Sequence, residues 1–481
     1  MHLLQTDKHT RRAFLRRSGQ VALMGAAAPL ALNLAAMGEA AAFNASDYKA
    51  LVCVFLFGGN DHANTVVAYD EASHAAYARI RMAGAGTAAG SIAITRSALE
   101  ATRLRSLAPL PGRVEFALNP AMTGLAGLFN AGKAAVQLNV GPLVVPTTRR
   151  QYLGGGVPLP PKLFSHNDQQ SVWQSQGAEG STRGWGGNMG DLALAGNGNA
   201  LFTCISVTGN TVFLAGRDAL QYQCSTAGPV AAKAAQGQDW FFWEPAMRAA
   251  FAEFIQQPRT HMLENAYNAV TRRGIAAEAQ VSGALAGVAL NTVFPANNPL
   301  AAQLRMVARL IGARNGLGMK RQVFMVSMGG FDLHDDMVRR QPGQLKQVSD
   351  AMTAFHQATV EMGISDKVTA FTASDFGRTL TSNGDGTDHG WGSHHIVVGG
   401  AVRGQAFYGK PPPISAGDTD GPQDQWHIGQ GRLLPSTAVD QFGATLAKWF
   451  GVSATEMPII LPNIGNFGGA DYPQDLGFLV S

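Results

Sequence analysis

The sequence is poor in cysteine and poor in charge. Only three cysteines, Cys53, Cys204 and Cys224, stand in 481 residues, and none has CxxC or Cys/His metal spacing, which excludes a structural zinc module. In an exported chain two of them can pair, Cys204 with Cys224 before any other combination. Cys53 lies in an apolar run and reads as a small buried residue. Charged residues make up 15% of the chain, against ~25% in soluble proteins generally. The net charge of +4 sits at the front. The first 42 residues hold five Lys/Arg and two Asp/Glu, so the rest is near +1. No basic field is left that would bind nucleic acid. The chain also lacks a G-x-G-x-x-G turn, a haem motif and any cysteine cluster, which leaves a redox cofactor with little support.

What is present is a 46% hydrophobic composition with 57 glycines, enough for a large core joined by many tight loops. The chain opens with a targeting pattern. TRRAFLRR, Thr10 to Arg17, is a twin-arginine signature followed by an alanine-rich apolar run and a small-x-small site, Ala40-Ala41-Ala42. The run spans about 17 residues and is broken by Pro29, short of the ~20 strongly apolar residues a membrane span prefers. Residues 1–42 are therefore expected to be a signal peptide. The twin-arginine export machinery would be a partner, the mature protein would be periplasmic or extracellular, and it would keep no stable span.

Apolar runs then alternate with helical patterns. Residues 50–57, 134–140, 322–328, 367–374 and 395–402 read as buried strands, most of them preceded by amphipathic segments of ten residues or more. This pattern predicts an α/β fold with a mostly parallel sheet and helices on both faces. Residues 201–226 read as a hairpin and 240–315 as largely helical. Together, about 180–300 is expected to be an insertion or cap on a single domain spanning 43–481. A polar loop covers 405–435.

The chemistry gathers where strands end. GGNDHANT follows the first strand, GGFDLHDD the 322–328 strand and SDFGRT the 367–374 strand, while GTDHGWGSHH precedes the 395–402 strand. In open α/β sheets the carboxyl ends of strands form the ligand crevice. The candidate metal ligands are Asp61, Asp332, His334, Asp375, Asp388, His389 and His395, with His394 as the alternative to its neighbour. Asp61 and Asp375 also read as ordinary turn aspartates. Asp335 and Asp336 suit the first turn of a helix. Mixed histidine and carboxylate ligands suit a divalent metal such as zinc or manganese, as one or two ions. Arg378 is a candidate anion clamp. Ser165, beside His166 ahead of a helix, is the first candidate nucleophile, equally readable as an N-cap with Asp168. Thr65 is the second.

In combination, FLFGGNDHANTVV, LFSHNDQQSVWQSQG, GGFDLHDD, SDFGRT and GTDHGWGSHHIVVGGAVRG resemble the bacterial family called domain of unknown function 1501, from about residue 48 to the C-terminus. That family is similar in fold to the alkaline phosphatase–sulfatase superfamily. The resemblance implies metal ligation by Asp61 and Asp375 at one ion and by Asp332, His334 and His389 at another, with Ser165 as nucleophile. Two departures stand out. Asp375 is followed by Phe376 where the superfamily often has Asp-His, and Asp332–His334 replaces an Asp-x3-His spacing. Asp388, His394 or His395 would make good the missing ligand. The expected function is a metal-dependent hydrolase of phosphate or sulfate esters acting on a small-molecule or envelope substrate. The alternative is a non-catalytic exported envelope protein that keeps the fold.

Overall fold

The computed structural model describes residues 47–82, 91–233 and 244–480. The predicted signal, residues 1–42, lies outside the described residues.

Strand β1 (Lys49–Leu56) runs through the middle of the sheet. Ala50, Val52, Val54 and Leu56 enter one hydrophobic core, and Leu51, Cys53 and Phe55 enter another. Successive side chains of a strand point to opposite faces. With both faces covered, the strand reads as an unbroken apolar run instead of an alternation. A small antiparallel pair follows, β2 (Val66–Ala68) with β3 (Phe116–Leu118). The main sheet adds β4 (Ala134–Gly141), β5 (Cys204–Ser206), β6 (Gln221–Ser225), β7 (Gly228–Pro229), β8 (Arg321–Met328), β9 (Val368–Ser374), β10 (Ser393–Gly399), β11 (Ala406–Tyr408) and β12 (Thr437–Ala438). Its order is β11-β4-β10-β9-β1-β8-β5-β6-β7, with β12 against β4. β9, β1, β8, β5 and β6 are parallel neighbours, and β10 runs against both β9 and β4. The fold is mixed α/β with a mostly parallel sheet.

The helices that position the site or close the cores are α1 (His62–Thr65), α2 (Glu71–Met82), α3 (His166–Ser175), α4 (Trp185–Ala193), α5 (Pro299–Gly312), α6 (Met337–Glu361) and α7 (Val439–Phe450). Apolar residues of α5 and α6 enter the first core, and those of α4 and α7 the second, so helices cover both faces. The start of α5 follows local chemistry. Pro299 takes the first turn, where its missing N–H costs nothing, and the Asn298 side chain accepts from Ala301 N.

The middle of the chain differs from expectation in detail. TVFLAG, residues 211–216, forms no strand. β5 and β6 pair in parallel and extend the main sheet through β8, while the hairpin of this region is β6 with β7. This arrangement also overturns the expected disulfide. Cys204 lies in the second core and Cys224 in the first, so their side chains leave the sheet on opposite faces. All three cysteines are free and buried. Among the described residues, no helix is long and apolar enough to cross a membrane.

Candidate metal centre

β1, β8 and β9 end in register, Leu56 opposite both Met328 and Ser374. The loops that follow them leave one edge of the sheet together. β10 starts at the same edge, so the loop before it arrives there too, and α3 points its N-terminus at the same place. Glycine makes the close approach possible. Gly58 has φ +112°, and a Cβ there would sit 2.5 Å from Asp332 N. A Cβ on Gly386 would sit 2.3 Å from the carbonyl carbon of His334.

Three imidazoles meet one carboxylate at this edge. His166 Nδ1 donates to Asp375 Oδ2 at 2.7 Å. His389 Nδ1 donates to the Phe164 carbonyl at 2.7 Å. His334 Nδ1 donates to Asp388 Oδ1 at 3.2 Å. Each of these partners is an acceptor only, so each Nδ1 carries a proton where the contact is a hydrogen bond, and each Nε2 is left to serve the inner side. The Nε2 atoms turn inward to Asp332. His334 and His389 lie 3.0 and 3.2 Å from Oδ1, and His166 lies 3.3 Å from Oδ2. Lone pairs facing a carboxylate repel unless a cation lies between them, either a proton or a metal ion. His166, Asp332 and His389 place ligand atoms all within 4.8 Å of one another, a spacing that suits one metal. His166 Nε2 and Asp375 Oδ1 are both buried without a hydrogen-bond partner.

The surroundings tune these groups. Burial disfavours charge on Asp332, but Arg378 Nη1 at 2.6 Å outweighs it and holds the carboxyl below its ordinary range. The hydrogen bond to Asp375 raises His166, whereas burial lowers His389. Asp375 is fully buried, and its Oδ2 accepts from Gly58 N, His166 Nδ1 and Gln170 Nε2. It therefore orients His166, in the way carboxylates behind ligating histidines do, while that histidine offers the inward-facing atom.

The expected ligand set is thus only partly assembled here. Asp332, His334, His389, Asp375 and Asp388 converge, the last two on the Nδ1 side of the imidazoles. Asp61 is engaged elsewhere. Its carboxylate takes Arg81 Nη2 at 2.8 Å and Asn64 N at 2.7 Å, capping α1 as a buried ion pair. Thr65 is buried, and its Oγ1 donates to Asp61 O inside α1. His395 is buried between Trp173 and Phe442, and His394 Nδ1 accepts from Asn139 N. Adjacent residues of β10 face opposite ways, and neither joins the cluster. Ser165 stands at the N-cap of α3, but its hydroxyl donates to Asp168 Oδ2 at 2.7 Å. Arg378 is wholly buried and bound to Asp332 and Thr387, which makes it a partner of the cluster before it is an anion clamp. His166 was not among the expected ligands. The signal for it was its place just after Ser165, at the start of a helix the sequence predicts.

The family model for proteins of unknown function designated DUF1501 matches residues 48–455. The chain belongs to this DUF1501 family. No curated protein matches it. Among solved structures, the DUF1501 chain is similar to Ps i-CgsB in complex with k-i-k-neocarrahexaose, with 8% identity and a TM-score of 0.35 over 87% of this chain and 77% of that one. It is similar to the PsFucS1 sulfatase from Pseudoalteromonas sp., with 9% identity and a TM-score of 0.32 over 84% and 68%. A third is a structure from glycosaminoglycan metabolism in Bacteroides thetaiotaomicron, with 9% identity and a TM-score of 0.31 over 85% and 73%.

Proposed function

We propose that this DUF1501 protein is an exported hydrolase of phosphate or sulfate esters that works with one divalent ion, zinc or manganese, held by His166, Asp332 and His389. The reading rests on one observation: the Nε2 atoms of His166 and His389, whose Nδ1 atoms are taken up by Asp375 and the Phe164 carbonyl, converge on the Asp332 carboxylate. Two nitrogens and one oxygen suit borderline divalent metals more than magnesium or calcium. When bound, such an ion supplies Lewis acidity toward an ester oxygen.

The chain's own groups support the rest. Arg378 keeps Asp332 ionised. Asp375 and the Phe164 carbonyl hold the two ring orientations. The N-terminus of α3 brings backbone amides and a positive dipole end to the same edge, where anionic ester oxygens would bind. His334, half-exposed and steadied by Asp388, is placed to hold or move a proton at Nε2. Ser165 donates to Asp168 Oδ2, and that carboxylate is placed to take its proton if the hydroxyl is the nucleophile. Export through the twin-arginine route is part of the proposal and rests on residues 10–42.

The test is turnover of aryl phosphate and aryl sulfate esters by purified protein with added zinc or manganese. No turnover across a broad panel, with one metal bound per chain, rejects the hydrolase. That outcome favours a second reading, an exported envelope protein that holds a metal without catalysis. The pairing of Arg378, the expected anion clamp, with Asp332 is the observation on its side.

A further inference from the structure

A bulky residue in left-handed backbone is an outlier in L-proteins, and such residues persist where surrounding structure enforces them. Phe164 has φ +72°. It lies directly before the Ser165 N-cap, and its carbonyl is the acceptor for His389 Nδ1. Its ring lies under Arg432, with the guanidinium carbon 5.7 Å from the ring centroid. Arg432 Nε in turn donates to the His389 carbonyl at 2.7 Å. His389 is thus gripped at its ring by Phe164 and at its backbone by Arg432, and the two grips touch each other. An αR or β conformation at Phe164 would turn the carbonyl away from His389.

We propose that Phe164 is a positioning residue, whose left-handed backbone holds His389 in the Nδ1–H tautomer with Nε2 aimed at Asp332. This deepens the metal-centre reading and rests on it for the consequence, a preformed ligand. The tautomer itself is testable without any metal. A packing role for the ring would not require one tautomer, whereas a fixed carbonyl acceptor does.

The experiment compares wild type, Phe164→Gly, Phe164→Pro and Arg432→Gln as full mature chains. Glycine takes positive φ without cost, whereas proline fixes φ at about −65° and removes the left-handed conformation. The first measurement is the long-range 1H–15N spectrum of histidine-labelled, metal-free protein at pH 8, with the His389 signals identified by their loss in His389→Gln. Wild type and Phe164→Gly are expected in the Nδ1–H form, and Phe164→Pro as a mixture. The second is zinc titration against a chelator, where folded Phe164→Pro should bind on the order of tenfold more weakly and Phe164→Gly close to wild type. Arg432→Gln, which leaves the Phe164 backbone in place, should keep the tautomer and lose less affinity. A pure Nδ1–H signal in Phe164→Pro overturns the proposal, as does unchanged zinc affinity. If wild type shows the tautomer but binds no zinc, the metal-centre reading fails and Phe164 still orients His389.

Discussion

His334 Nε2 and His389 Nε2 lie 3.0 Å apart, with Asp388 and the Phe164 carbonyl at their respective Nδ1 atoms. Two lone pairs do not hold that contact, so either one ring carries a hydrogen between them or a cation does. A divalent metal among these nitrogens and Asp332 would serve all of them at once. Zinc should therefore raise the Tm of metal-free protein, by about 2.7 kcal/mol of stability at a free concentration a hundred times Kd. His166→Gln, which removes one inward nitrogen, should lose most of that gain. Thermal melts with and without zinc, alongside metal analysis, decide it; equal zinc stabilisation in His166→Gln would remove His166 from the centre.

Asp61 gives a prediction of the opposite kind. The sequence offers it as a ligand at the end of the first strand, but the fold pairs it with Arg81, and both side chains are buried. Asp61→Ala leaves a guanidinium without its counter-charge, and breaking such a pair costs about 3–5 kcal/mol. Folded Asp61→Ala protein should still take up zinc with wild-type stoichiometry. Chemical denaturation and metal analysis of the same sample separate the two effects. Loss of zinc at unchanged stability would restore the ligand role.

The thiols offer a simple check on topology. Cys53, Cys204 and Cys224 are buried on a central strand and two strands toward the edge, and burial pushes each thiol up, that of Cys224 to about 12. Native protein should react negligibly with a thiol reagent at pH 8, and denatured protein without reductant should expose all three thiols. Recovery of a single thiol would mean a disulfide and a different arrangement of β5 and β6.

These cases show where the sequence was readable. Strands at the centre of the sheet were legible because burial on both faces writes a continuous apolar run, as in Ala50–Leu56. The edge where chemistry gathers followed from strand polarity. Local spacing could not say which carboxylates face inward. Asp61 and Asp375 occupy similar places after parallel strands, yet Arg81 from α2 captures one and His166 from α3 captures the other. Those partners lie 20 and 209 residues away from them. His166 was overlooked because its neighbour Ser165 had the more familiar nucleophile pattern. The β5–β6 pairing was missed because three-residue strands carry too few alternations to show direction or partner.

Asp440 supplies a pH-dependent prediction away from the site. It is buried in the first turn of α7, where Oδ1 accepts from Asn463 N and Oδ2 has no partner. Burial, only partly opposed by hydrogen bonds from Asn463, raises its pKa to about 7, against ~3.9 in an unfolded chain. The folded state therefore holds this proton more tightly than the unfolded state. The stability this group contributes is complete below about pH 4, falls as pH rises toward about 7, and is flat above that. Relative to Asp440→Asn, the wild type should lose roughly 3 kcal/mol between pH 5 and pH 8. Denaturant unfolding of both proteins across that range gives the difference directly, and parallel stability curves would show that Asp440 is ionised in the native state throughout.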